Sequence, residues 1–388
     1  MGVYLDHAAT TPMLPEAIDA YARAMSEVGN PSSIHSAGQN ARRLLEEARE
    51  TVAGSLGCDP IEVVFTSGGT EAINLALKGG FWSARSQSGD RRRIVVPNGE
   101  HHATIDTVEW LVAHEGAEAS WVGLDGVGRI DTDAWAAALR GDDVAVATAL
   151  WVNNEVGTIE PIGELAAAAA SASVPLHLDA VAAYGHVPIS FRDLGAAALS
   201  VSAHKIGGPV GIGALVLSRA ARVEPIVHGG GQQRNVRSGT QDVAAAVSFA
   251  VAARAAVSTL DAERARLTEL RDRLIAGVRA AVPEARLSGP EGSARVASNV
   301  HFTFPGAQGD SLLFLLDAAG VAVSTGSACQ AGIPEPSHVV LAMGRAPGEA
   351  SSCLRITLGR TTTDADVDAF LAALPEAYTR AARAGFTV

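Results

Sequence analysis

Short, continuous apolar runs alternate with longer Ala-, Leu- and Arg-rich segments along the first two-thirds of the chain. The runs 62–66, 93–97, 120–124, 144–152, 176–179, 199–203 and 214–218 have the length and the β-branched content of strands. Between them, 41–56, 71–83 and 162–172 have the composition of helices. Strands that lack polar alternation and are separated by helices predict an α/β fold: a mostly parallel, seven-stranded sheet covered on both faces. Ligands of such sheets bind where the carboxyl ends of the strands open into loops. Past about Leu260 the texture changes. A charged helix over 261–281 leads into strands near 298–304 and 354–358, punctuated by Gly and Pro. We therefore expect a large domain over 15–260, and a smaller α+β domain built from 1–14 and 261–388.

Composition narrows the function classes. Of 388 residues, 47% are hydrophobic and 19% charged, a globular balance rather than a disordered one. Thirty basic against 42 acidic side chains give a net charge of −12, which argues against direct nucleic-acid binding. The Ala-rich stretches 165–174 and 243–259 are short, and the second contains Arg254, so neither predicts a membrane span. The N-terminal residues lack a basic segment followed by an apolar run. The three cysteines, Cys58, Cys329 and Cys353, make neither an even disulfide framework nor a metal-type spacing. A cytoplasmic location is expected. The run Arg91-Arg92-Arg93 reads as a solvated turn before a strand.

Three features together point to chemistry. Ser67-Gly68-Gly69-Thr70 follows a strand and opens a helix, where backbone N–H groups and hydroxyls can hold an anion; an ordinary strand–helix turn is the alternative. Asp179 ends one apolar run, and Lys205 follows another within Ser202-Ala203-His204-Lys205. A carboxylate, a lysine and a phosphate cradle on separate strand ends are what pyridoxal phosphate requires: a ring-nitrogen partner, an amine for the Schiff base and an anion site.

With these residues in place, the sequence resembles the cysteine desulfurases of the NifS/IscS type. These belong to the class V aminotransferase branch of the fold-type I pyridoxal phosphate enzymes. The match begins at Tyr4-Leu5-Asp6-His7 and runs through Gly29-Asn30-Pro31, Thr66–Glu71, Glu100-His101 and Asn153-Asn154-Glu155. It continues through Ser202–Lys205, His228-Gly229-Gly230-Gly231 and Arg237-Ser238-Gly239-Thr240 to Ser324–Cys329 and Leu354-Arg355. The resemblance implies that Lys205 carries the cofactor as a Schiff base and moves the Cα proton. It implies that Asp179 pairs with the ring nitrogen and His101 stacks on the ring, with His102 a bystander. Gly69, Thr70, Ser202 and His204 would hold the phosphate, joined by Thr240 of a neighbouring subunit in a homodimer. Asn154 and Arg355 would fix the carboxylate of L-cysteine, the arginine through its two-pronged fork.

Cys329 sits in Ser324-Thr325-Gly326-Ser327-Ala328-Cys329, a small-residue composition that predicts an exposed loop over about 324–335 rather than core. Its short loop resembles that of the group I desulfurases. The resemblance makes Cys329 the nucleophile that takes sulfur from cysteine as a persulfide, releases L-alanine and supplies an acceptor protein. That acceptor would be an iron–sulfur scaffold or a tRNA-thiolating enzyme, and Cys329 becomes a candidate transient iron–sulfur ligand. One position departs from the pattern: after Asp179 the family reads Asp-Ala-x-Gln, and the fourth residue here is Ala182. Two other readings stay open. One is a selenocysteine lyase or another class V enzyme. The other is a pyridoxal phosphate-binding sulfur-carrier scaffold whose chemistry has decayed.

Overall fold

A computed structural model of the chain describes residues 2–326 and 335–385. Twelve strands are formed among the described residues: β1 (Val3–Tyr4), β2 (Val63–Thr66), β3 (Arg93–Pro97), β4 (Glu118–Val122), β5 (Val144–Leu150), β6 (Leu176–Asp179), β7 (Ala198–Ser202), β8 (Gly213–Leu217), β9 (Arg286–Leu287), β10 (Asn299–Thr303), β11 (Val321–Ala322) and β12 (Cys353–Thr357). Strands β2 to β8 form the expected seven-stranded sheet in the order β2-β8-β7-β6-β5-β3-β4. All pairs from β7 to β4 are parallel, and β8 runs against both its neighbours. Strands β5, β6, β7 and β8 are buried along their whole length, which is why their sequences are continuously apolar.

Helices close both faces of this sheet. The Ala-rich helix Val243–Ser258 packs on the helices Pro15–Met25 and Ser36–Leu56, its small side chains permitting close approach of the backbones. It is apolar because it is core: nine of its residues are buried. No single described helix is long and apolar enough to cross a membrane.

The C-terminal third has its own apolar core. Leu267, Leu270, Leu274 and Val278 of the helix Leu260–Ala281 pack with Val300, Phe302, Leu354, Ile356 and Phe370. The antiparallel sheet β12-β10-β9 supplies one side of that core, and Leu5 joins it from the N-terminal segment. Strand β1 pairs in parallel with β11, so the first residues of the chain belong spatially with the last third. One detail differs from expectation. Arg93 is not a solvated end of the basic run: its guanidinium bonds Asp143 at 2.8 and 2.9 Å and donates to the carbonyls of Ala138 and Arg140. An arginine at the first residue of a strand can reach the neighbouring strand end, and β5 begins beside it.

Candidate active site

The carboxyl ends of the parallel strands open into a cavity of about 540 Å³. Gly69, Thr70, His101, Asn154, Asp179, Ser202, His204, Lys205 and Arg355 all line it. Nine of the residues singled out from the sequence thus meet in one place, although they lie between positions 69 and 355 of the chain.

Each is delivered by a local device. Strand β2 turns at Gly68 into the helix Gly69–Gln87, whose first residues carry no side-chain cap. Gly69 is required by packing: a Cβ there would stand 2.7 Å from Val181 Cγ2. The uncapped N–H groups of this long helix, with the positive end of its dipole, suit a phosphate dianion. Ser202, the last residue of β7, and His204 just beyond it border the same space.

Asp179 ends β6, opposite Leu150 at the end of β5. Its Oδ1 accepts from the Val181 N–H at 2.9 Å. Burial pushes its carboxyl up to about 6, against the opposing effect of the Lys205 charge. An acid whose pKa is higher folded than unfolded weighs against the fold as it ionises. The cofactor-free protein should therefore lose stability through this group as pH rises from about 4 to about 6. Asp179→Asn is expected to flatten that part of the melting-temperature profile; an unchanged profile would refute the assignment.

The Lys205 amine donates to the carbonyls of Ala8 and Ala9, the latter at 2.9 Å. The N-terminal segment is thus a wall of the site, anchored by the Ala8 N–H to Thr357 Oγ1 at 2.9 Å. His101 caps the helix His102–Glu115, its Nδ1 accepting from the Ala103 N–H at 3.0 Å. Burial, followed by the Lys205 charge, lowers its pKa to about 4, so the site presents a neutral flat ring. His102 lies off the cavity, edge-on to His338 with ring centroids 4.9 Å apart. His204 is lowered to about 4, again by burial and then Lys205.

Asn154 faces the cavity because its neighbour holds the turn. Asn153 Oδ1 accepts the N–H groups of Glu155 and Val156, each at 3.0 Å. Arg355, in the middle of β12, donates to the Asn154 carbonyl at 3.0 Å and to Asp6 Oδ1 at 3.1 Å. Its Nε is buried without a hydrogen-bond partner. Asp6 was not singled out for a role from the sequence, since nothing local to it shows that it will meet a strand some 350 residues away.

Thr240 is exposed and does not line this cavity. Cys329 lies outside the described residues, but Ser324 and Gly326 before it border the cavity. Cys58 and Cys353 are buried, as expected of small core residues. Ala182, half-buried, presents only a methyl group to the cavity.

The donor set fits pyridoxal phosphate: an uncapped helix N-terminus, a buried carboxylate, an amine and a flat neutral ring around one cavity. The family described as Aminotransferase class-V matches residues 3–370. An IscS-like cysteine desulfurase of Mycobacterium tuberculosis is 52% identical over 98% of this chain and 97% of its own. The cysteine desulfurase IscS of Dictyoglomus turgidum is 41% identical over 94% and 92%. Among solved structures, a NifS-like protein superposes with a TM-score of 0.90 at 31% identity, covering 98% of this chain and all of its own. A protein solved in complex with cysteine, SspA, gives 0.79 at 30% identity, covering 92% and 98%.

Proposed function

Because the chain belongs to the aminotransferase class-V family, among its cysteine desulfurases, we propose that this cavity holds pyridoxal phosphate and strips sulfur from L-cysteine to leave L-alanine. The observation that carries the reading is the convergence of Lys205, Asp179, the Gly69–Thr70 helix start and Arg355 on one cavity. When bound, the cofactor supplies a conjugated ring that withdraws electrons from the substrate's α-carbon.

The chain's own residues do the rest. Gly69, Thr70, Ser202 and His204 hold the phosphate, and Thr240 of a second copy completes that grip in a homodimer. Asp179 keeps a proton on the ring nitrogen, where its carboxylate is stabilised by the charge it faces. His101, which lines the cavity, would offer its neutral ring to the cofactor's ring when that is bound. Asn154 and Arg355 hold the substrate carboxylate and so aim the Cα–H at Lys205, whose amine anchors the cofactor and carries the proton. The Cys329 thiolate attacks the substrate sulfur: an S–S bond forms and the Cβ–S bond breaks. Its electron pair stays with the carbon fragment, which is protonated and leaves as L-alanine. The persulfide then passes to an acceptor protein of iron–sulfur assembly or tRNA thiolation.

The test is paired quantification of alanine and sulfide from L-cysteine with a reductant. Equal amounts of the two are expected; a yellow protein that makes no alanine would overturn the proposal in favour of a sulfur-carrier scaffold. Ala182 gives a second check. A family glutamine there would donate one hydrogen bond to the cofactor, worth about 1 kcal/mol. Ala182→Gln is therefore expected to shift the visible absorption band and slow cofactor loss on dialysis. An unchanged band would show that a neighbour already supplies the donor.

A further inference from the structure

A helix N-terminus attracts negative charge, and the helix Gly69–Gln87 carries a negative charge of its own there: Glu71 stands in its first turn. The side chain reaches back along the turn, where its Oε2 accepts from the Ser67 N–H at 2.7 Å. From the other side, Thr66 Oγ1 donates to the Gly68 carbonyl at 2.9 Å. These two bonds hold the turn whose Gly69 and Thr70 line the cavity. Glu71 therefore shapes the cradle and at the same time sets a carboxylate beside it.

Arg237 answers that charge. Its Nε donates to Glu71 Oε1 at 2.9 Å and its Nη2 to Glu71 Oε2 at 3.3 Å, the two-pronged geometry of a strong pair. The arginine is 23% and the glutamate 13% exposed, so salt and water screen them little. Burial by itself would raise the Glu71 pKa; the bonds from Arg237 and Ser67 outweigh it and hold the carboxyl below its usual range. Neither residue lines the cavity. The segment that carries Arg237 is tied to the same strand that ends in the cradle. Gln233 Oε1 accepts from the Phe65 N–H at 2.7 Å, and its Nε2 donates to the Phe65 carbonyl at 2.8 Å. Ser238 Oγ accepts from the Gly231 N–H at 3.2 Å and folds the segment on itself.

Building on the reading of this cavity as a pyridoxal phosphate site, we infer that Arg237 is a positioning residue for the cofactor's phosphate, cancelling the Glu71 charge so that the turn Glu71 shapes can accept a dianion. Removing Arg237 alone leaves a bare carboxylate competing with the phosphate for one helix start. Removing the Glu71 charge alone leaves a cation there, and removing both restores the balance.

The experiment titrates the cofactor-free protein with pyridoxal phosphate and with pyridoxal, which lacks the phosphate, and follows the absorbance of the bound ring. Arg237→Met should weaken pyridoxal phosphate binding about tenfold or more and leave pyridoxal within about twofold of wild type. Glu71→Gln, whose amide oxygen still accepts from Ser67, should bind pyridoxal phosphate at least about threefold tighter, again with pyridoxal unmoved. The double variant should return to within about threefold of wild type for both. Equal losses for the two ligands in Arg237→Met, or no loss, would overturn the inference. So would a double variant as weak as Arg237→Met, since that would show Arg237 gripping the phosphate directly or merely holding Thr240 in place. Should Arg237→Met fail to fold, the other two variants decide it: Glu71→Gln that binds pyridoxal phosphate no tighter than wild type overturns the inference. A wild-type protein that binds pyridoxal as tightly as pyridoxal phosphate overturns instead the phosphate reading on which the inference rests.

Discussion

Lys205→Ala is expected to lower alanine production from L-cysteine by at least about 10³-fold and to remove the covalent hold on the cofactor. The sequence contains two lysines, Lys78 and Lys205. Lys78 lies on the outer side of the helix Gly69–Gln87, its ammonium 4.1 Å from the ring centre of the half-exposed Trp110. It cannot substitute for an amine that lines the cavity beside Asp179 and His101. The chain uses arginine for nearly all its cationic surface, and arginine cannot give up a proton at neutral pH. Borohydride reduction followed by peptide mapping checks the assignment: the cofactor should be fixed on Lys205 in wild type and nowhere in the variant. Turnover that survives the substitution would sink the proposed role.

Cys329→Ala is expected to reduce both sulfide and alanine to below about 1% of wild type while leaving the yellow colour and its response to L-cysteine intact. The other two thiols cannot take over. Cys58 is buried and its thiol is pushed up to about 12 by burial and the neighbouring Glu62 and Asp59. Cys353, the first residue of β12, is pushed up further by burial and then by Glu155 and Glu349. A thiol that stays protonated in the core is a poor nucleophile. The two substitutions thus separate the steps: the lysine variant loses the chemistry at Cα, and the cysteine variant loses only sulfur capture. Full sulfide release from Cys329→Ala would point instead to a lyase that expels sulfur directly.

The sequence by itself determined the large sheet. The runs behind β2, β3, β5, β6, β7 and β8 were legible because those strands are almost wholly buried, which forces a continuous apolar run with little competing pattern. The edge strand β4 is largely exposed, and its run, read at 120–124, is formed at Glu118–Val122. It also determined the chemical inventory: Asp179, Lys205 and the Gly69–Thr70 turn stand at strand ends, where local signals suffice. What escaped was what depends on distant pairing. Strands β1, β9 and β11 have two residues each, too few for any periodicity to show, and they exist because a neighbouring strand satisfies their backbone. The strand order, with β8 inserted antiparallel between β2 and β7, is likewise set by packing rather than by the run itself.

The same division holds at the site. Nothing near Asp6 announces Arg355, and nothing near Glu155 announces Ser337, whose hydroxyl donates to it. These ion pairs and hydrogen bonds form because the N-terminal segment and the last third of the chain close over the strand ends of the large sheet. Local sequence chooses the side chains, through propensity and burial. Only the tertiary structure decides which of them share a low-dielectric space, and there a bare charge must find a partner or shift its pKa.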